Sequence, residues 1–387
     1  MRLKRPFPCL KARHWFALGA LVVGVIFFGR ALRLPQAARQ APPIATSPRL
    51  VAAAVQQESG EENEPMDEAD VRSSILADWE ALRVWLSLKP DAKKLGERLS
   101  ALRERWVTLD PQVLASVLGE LLATGDDART GMAFEVGPHG LLAGWTTLRV
   151  FLLDVLAASD PERAAVIARA IADRTSSAEE YAMALRSLTQ PGLGRATDAE
   201  LLERLNHLLA QPGWSGTPGL AEALDLPRVL GSPAAARALA AWPGNGRLRD
   251  MALHEFAAEH PAEMLGVLSS EDSPISPDAR AALMARAQVE DPVQSGQIDA
   301  YLHRSDVSTE EIAAFLRLFP LRSATTGDRL YGFSPAPYSS GQLAVGDRAA
   351  LALAERWLAD PALAAVHSEV DSLKARLGAW VKQAEPK

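Results

Sequence analysis

The stretch Thr197-Asp198-Ala199-Glu200-Leu201-Leu202-Glu203-Arg204-Leu205-Asn206-His207-Leu208-Leu209 carries the pattern that sets the fold class. A threonine able to accept first-turn amide hydrogens stands three residues before a glutamate, which is the sequence signature of a helix start. Behind it, Leu201, Leu202, Leu205, Leu208 and Leu209 recur at the spacing of one helix face. Ser177 with Glu180 and Ser308 with Glu311 repeat the start signal. The apolar stripe is repeated by Leu95, Leu99, Leu102 and Trp106, and again by Ile312, Phe315, Leu316 and Phe319.

A second start signal is a capping residue directly before proline. Asp110-Pro111, Asp160-Pro161, Ser232-Pro233, Ser276-Pro277, Asp291-Pro292 and Asp360-Pro361 fit it, and Thr217-Pro218 fits more loosely. Proline suits the first helical position because the N–H it lacks would be unpaired there. Starts at 161, 178, 198, 218, 233, 247, 261, 277, 292 and 309 lie about 14–20 residues apart, so two helices with their turns take about 30–35, the size of a helix-pair repeat. Aromatic residues are only 6% of the chain and no strand-length alternation is evident, which also favours helix over strand. The expectation is an all-α domain of irregular helix pairs over residues 71–387, stacked as a solenoid or packed as a compact multi-helix body. The tetratricopeptide signature is absent and no regular HEAT consensus is present.

The N-terminus follows a different logic. Arg2, Lys4, Arg5, Lys11 and Arg13 precede an uncharged apolar run from Trp15 to Gly29, a basic region followed by a hydrophobic one. With Ala31 and Leu32 included and Arg30 snorkelling, the run approaches the length needed to cross a bilayer. Arg30, Arg33 and Arg39 disfavour processing at Gly29-Arg30-Ala31, so residues 15–32 are expected to be an uncleaved signal anchor. The basic side stays in the cytoplasm as residues 1–14, which places everything after the anchor outside it. Residues 33–70 are Pro/Ala/Gln-rich and then acidic, and read as a flexible tether.

Charge and cysteine content exclude further classes. No acidic residue precedes Glu58, and residues 1–57 hold nine of the 41 basic residues. The remainder is therefore at −16, with 32 basic against 48 acidic side chains. Phosphate backbones would repel such a body, so no nucleic-acid partner is expected. Cys9 is the sole cysteine, which precludes an intrachain disulfide and a cysteine-based zinc site.

Candidate chemistry is sparse. His254 and His260 are six residues apart, whereas a helical zinc pair needs four, so they read as a surface pair. Asp126, Asp127 and His139 share the glycine-rich stretch from Gly125 to Gly140 and read as turn residues. No nucleophile elbow, phosphate-binding loop or dinucleotide fingerprint occurs, and no catalytic residue, cofactor or metal site is assigned. The eight tryptophans after the anchor are expected in the core.

The segment from Leu321 to Gly346 lacks helical periodicity, and loops beyond about 12–15 residues are commonly functional. It holds Tyr331, Phe333 and Tyr338, with Pro335 and Pro337 restricting the backbone. These three rings are the candidate partner-contact surface, on an ordered loop packed over the helices. The functional expectation is a membrane-tethered extracytoplasmic scaffold or protein-interaction module. The alternative is an envelope enzyme of helical-toroid type acting on carbohydrate or another cell-surface substrate.

Overall fold

The computed structural model describes residues 67–137, 140–192, 194–270, 274–322, 329–332 and 338–384. Helices follow one another as α1 (Glu68–Ser87), α2 (Ala92–Trp106), α3 (Pro111–Ala123), α4 (Leu148–Ser159), α5 (Pro161–Ala172), α6 (Ala178–Thr189) and α7 (Asp198–Leu209). Then come α8 (Pro218–Ala223), α9 (Leu226–Leu230), α10 (Pro233–Ala240), α11 (Gly246–Glu259), α12 (Pro261–Leu268), α13 (Pro277–Met284), α14 (Pro292–Leu302), α15 (Thr309–Leu318), α16 (Ser340–Leu358) and α17 (His367–Ala384). The described chain is all-α apart from a two-stranded hairpin, β1 (Glu135–Val136) with β2 (Leu142–Gly144), inside the glycine-rich stretch. No helix among the described residues is long and apolar enough to cross a membrane; the proposed anchor at 15–32 and the tether as far as residue 66 lie outside them, whereas Glu68 to Asp70, read as the end of the tether, are the first turn of α1, capped by Asp67.

The start signals act as their chemistry requires. Asp110 accepts from the amides of Gln112 and Val113 at 2.9 and 3.0 Å, and Pro111 opens α3. Proline opens α5, α8, α10 and α14 behind a side-chain cap in the same way, whereas Pro277 opens α13 behind Ser276, whose side chain makes no capping hydrogen bond. Asp360-Pro361 is a correction: it opens a 3-10 segment, Pro361–Val366, and α17 begins only at His367. The loop after Leu321 is also shorter than its sequence suggests, because Ser340 to Gly346 are helical. There Ser339 and Gln342 form a reciprocal capping box, hidden from periodicity by Gly341 and Gly346.

Alternate helices touch. Each of α2, α4, α6, α8 with the α9 that follows it, α11, α13, α15 and α17 contacts the next, forming one row. In the other row, α1, α3 and α5 touch in turn, as do α7, α10, α12 and α14. The stripe Leu95, Leu99, Leu102 and Trp106 and the stripe Ile312, Phe315, Leu316 and Phe319 are buried throughout. In the third stripe Leu201, Leu205 and Leu208 are buried, while Leu202 and Leu209 are half-buried. Six of the tryptophans are buried: Trp79, Trp106, Trp145, Trp214, Trp242 and Trp357. Trp380 is 38% exposed. Gly219 sets the closest approach between α6 and α8, since a Cβ there would stand 2.4 Å from the backbone of Ala178 and Glu179.

Ion pairs, most of them buried but Arg169–Glu200 and Arg204–Asp173 partly exposed, tie each row together at a fixed interval. Arg149 in α4 pairs with Glu180 in α6, Arg169 in α5 with Glu200 in α7, Arg228 in α9 with Glu259 in α11, and Arg280 in α13 with Glu311 in α15. All four pairs are 31 residues apart, as are Asp173 and Arg204. Asp154, fully buried, takes Arg186 at 32 residues' distance, together with the Arg103 guanidinium and the Trp145 indole N–H. The interval is one helix pair, so each ion pair joins a helix to the next in its own row. Glu180, Glu200 and Glu311 each sit three residues after a capping hydroxyl, yet their carboxylates reach across the row to these arginines. The Ser/Thr-x-x-Glu signature is therefore a cap joined to an interhelical rivet.

Removing one member of a buried pair leaves an uncompensated charge, which costs about 3–5 kcal/mol, while replacing both by apolar residues is often neutral. Arg280 and Glu311 are nearly inaccessible, and Glu311 also accepts from the Tyr301 hydroxyl at 2.8 Å. Arg280→Ala should thus lower unfolding free energy by about 3–5 kcal/mol in urea titration, and Arg280→Met with Glu311→Leu should restore most of it. A loss below about 1 kcal/mol for the single variant would be that of a surface pair and would refute the rivet.

Candidate functional site

The turn Arg329-Leu330-Tyr331-Gly332 is the described middle of the aromatic loop, closed by the Gly332 amide on the Arg329 carbonyl. It inserts against elements distant in sequence. Leu330 is 2% exposed and belongs to the main hydrophobic core. The Arg329 guanidinium pairs with Glu255 of α11, itself 6% exposed. The amide of Leu330 donates to the Glu222 carboxylate of α8. Tyr331 packs on the core with its hydroxyl buried, in the electrostatic field of Asp225, Glu222 and Arg186.

The second irregular segment meets the first at this point. Gly140, with φ at +72°, lies so close that a Cβ would stand 2.7 Å from the Arg329 carbonyl oxygen. A residue with a side chain would suffer both the left-handed backbone and that clash.

Charges around the turn are mostly matched. Asp225 accepts a bidentate pair from Arg228 at 2.5 and 2.7 Å, and Arg228 reaches on to Glu259 at 2.7 Å. Glu222 is the exception. Burial raises its proton affinity above the ordinary carboxylate range, against the lowering effect of the Arg329 charge and the Leu330 amide. Its Oε2 and the Tyr331 hydroxyl are buried without hydrogen-bond partners among the described residues. Burial also pushes the Tyr331 phenol well above its usual value.

The other sequence candidates are dispersed. Tyr338 is half-buried and accepts from Gln288 Nε2 at 3.4 Å, away from the seat of Tyr331; Phe333 and His139 lie outside the described residues. Asp126 pairs with Arg83, while Asp127 accepts from the Arg149 amide at the start of α4, so the two aspartates serve local structure. The histidines are not a surface pair. His254 Nδ1 accepts from Arg286 Nε at 3.1 Å, and the His260 ring lies on Phe256 with Nε2 at 2.7 Å from the Arg228 carbonyl. Both are half-buried struts because α11, which carries His254 and is capped by His260, is flanked by α9 and α13 in its row.

A polar groove of about 630 Å³ opens where α4, α6 and α8 begin. Asp127, Arg129, Thr146, Ser176, Glu179 and Trp214 are among its lining residues. Trp214 is fixed by its indole N–H on the Ser176 carbonyl and by the Tyr181 ring at 5.0 Å. Sequence reasoning missed Glu222, Asp225, Arg228 and Glu255. Opposite charges recurring at 31 residues would have pointed to Arg228 and Glu259, but the seat for Tyr331 leaves no local pattern. Comparison with protein-family models, with curated proteins and with solved structures finds no match.

Two titrations follow from these environments. Burial first, and then the Arg286 charge, pull His254 down to about 4, so the fold holds it neutral. Its contribution to stability is complete above the unfolded value near 6.5 and is lost as pH falls toward 4, by up to about 1.4 kcal/mol per pH unit. Melting curves of His254→Gln should accordingly show a flatter decline between pH 6.5 and 4 than wild type; parallel declines would refute the buried neutral ring. Glu222 has the opposite sign, since a raised carboxylate favours the fold at low pH and penalises it as pH rises through the folded value. Glu222→Gln should therefore stabilise the protein at pH 7 and have little effect below pH about 4. Destabilisation at pH 7 would mean that the charged form is bound favourably.

Proposed function

We propose that this chain is a membrane-tethered scaffold whose helical domain stands outside the cytoplasm and binds a protein partner, with its two rows stacked in solenoid fashion. The supporting observation is the use made of ion pairs between helices, all buried or largely so except Arg169–Glu200. Arg149, Arg169, Arg186, Arg228 and Arg280 each hold an acidic group of a neighbouring helix in their own row, which fixes the spacing of the stack. Such a row is a rigid support for exposed recognition groups, and the polar groove beginning at Asp127 and Arg129 is placed on it. Tethering rests on the basic residues before Trp15 and the uncharged run that follows.

A second reading, an enzyme acting on carbohydrate or another surface polymer, is favoured by one feature. Glu222, whose proton affinity burial raises, is the kind of carboxyl group that general acid catalysis uses, and it stands beside the turn at Tyr331 through the Leu330 amide.

A reporter fused after Lys387 should be active only outside the cytoplasm, and the protein should stay with membranes after a carbonate wash. Crosslinking in intact cells should then recover a defined partner with the full chain. A reporter active in the cytoplasm would overturn the orientation. Release of polymer fragments by the purified chain, abolished by Glu222→Gln, would replace the scaffold reading with the enzymatic one.

A further inference from the structure

The corner between α1 and α2 gathers lysine in a domain that otherwise hardly uses it. Lys89, Lys93 and Lys94 lie there, and no lysine follows until Lys374, the ion pairs of the rows being made by arginine. All three side chains are exposed, and none forms an ion pair among the described residues. Two of them work against local stability. Lys93 and Lys94 stand in the first turn of α2, where the helix dipole disfavours cations, and that turn has no acidic residue to offset them. Lys89 has its backbone in the left-handed region, at φ +51°, which glycine or asparagine would adopt at less cost. Between Leu88 and Arg98 the acidic residues are Asp91 and Glu97, against four cations. Asp91 is turned to the amides of Lys93 and Lys94 at 3.0 and 3.3 Å, and the Arg98 guanidinium lies 4.9 Å over the Trp85 ring.

Wet apolar surface adjoins these cations. Leu88 is 73% exposed, more than any other large hydrophobic side chain among the described residues, and Val84, one turn earlier on the same face, is 56% exposed. The corner that presents them is fixed, with the Leu88 amide on the Trp85 carbonyl at 3.1 Å and the Lys89 amide on the Leu86 carbonyl at 2.9 Å. Apolar side chains beside unpaired lysines match the surface of an anionic bilayer, where the apolar groups and methylene stems enter the interface and the ammonium groups stay with phosphate. The rest of the domain points to the same occupant by contrast. The chain from residue 58 onward is at −16, so anionic lipid repels its acidic remainder and favours the approach of this corner. Residues 33–66 join the proposed anchor to Asp67, and that many residues reach at most about 120 Å. Since α1 spans only about 30 Å, the bilayer is within reach, and a tether raises its effective concentration.

We infer that the α1–α2 corner is a lipid-contact site, at which Lys89, Lys93 and Lys94 bind anionic headgroups while Leu88 and Val84 enter the interface. The contact holds the helical domain against the membrane by one end of its stack. The inference rests on the reading of the chain as membrane-tethered and does not require a protein partner.

The test uses the full chain with Cys9→Ser and Leu88→Cys, labelled with bimane, in nanodiscs of phosphatidylcholine alone or with about one-third phosphatidylglycerol, both containing a nitroxide-bearing lipid. Nitroxide quenching at residue 88 should be about fivefold stronger in the anionic discs, and should be lost near 1 M salt, where the screening length is about 3 Å. A bimane on Val293→Cys, a position 68% exposed on α14, should stay unquenched in both. Lys89→Asn, Lys93→Gln and Lys94→Gln together should bring residue 88 in the anionic discs down to its level in neutral ones, asparagine being chosen to suit the left-handed backbone. Should that variant lose its helical circular dichroism, Lys93→Gln with Lys94→Gln should still reduce quenching by about half. Quenching at residue 88 no greater than at residue 293, equal in the two kinds of disc, or undiminished by loss of the lysines overturns the inference. A bimane that stays wet on anionic discs but is shielded from aqueous iodide when a crosslinked partner is bound assigns the corner to protein and overturns it too. Incorporation of the chain with residue 88 unquenched refutes the lipid contact and leaves the tether standing, whereas failure to incorporate into discs removes both.

Discussion

The fold depends on a simple electrostatic constraint, that an arginine taken out of water must be paired. Desolvating a guanidinium without a partner is prohibitive, and a bidentate carboxylate is the acceptor that matches its planar fork. Here the acceptor is supplied one helix pair away in the same row, at 31 or 32 residues. Apolar packing alone would let Leu- and Ala-faced helices slide against each other at small cost. A buried ion pair fixes rotation and register together, so the rows acquire one geometry although their helices range from five residues in α9 to 20 in α1.

The same economy shapes the region around Tyr331. Asp225, Arg228 and Glu259 form a matched network, and Arg329 completes it by covering Glu255. What remains unmatched is confined to Glu222 and the Tyr331 hydroxyl. Among so many satisfied neighbours, these two buried atoms are the places in this region where the described residues supply no hydrogen-bond partner. The contact of Gly140 with Arg329 adds that both irregular segments of the domain, about 190 residues apart in sequence, converge on this spot.

Much of the helical architecture was legible in the sequence because its signals are local. Capping residues before proline and leucines on one face act within a single turn or helix, and the predicted starts at 161, 178, 198, 218, 233, 261, 277, 292 and 309 coincide with observed ones. Where the reading failed, a distant group decided the outcome. Glu180, Glu200 and Glu311 read as capping-box partners but serve arginines 31 residues upstream. His254 and His260 read as exposed because nothing in Gly246–Glu259 announces that α9 and α13 cover it. The loop yielded Tyr331 as a residue of interest from its aromatic character alone, but its seat could not be inferred, since Glu222, Asp225 and Glu255 carry no motif.

The central claim, that ion pairs couple successive helices of a row, is tested most directly by amide hydrogen exchange of the full chain with and without Arg228→Met. If Arg228 is a rivet, protection should fall in α11 around Glu259, on the far side of the pair, as well as in α9. The turn at Arg329, held to the same helix through Glu255, should lose protection with it. A change confined to α9, with α11 exchanging as in wild type, would contradict the account and leave apolar packing as the sole source of the stack's geometry.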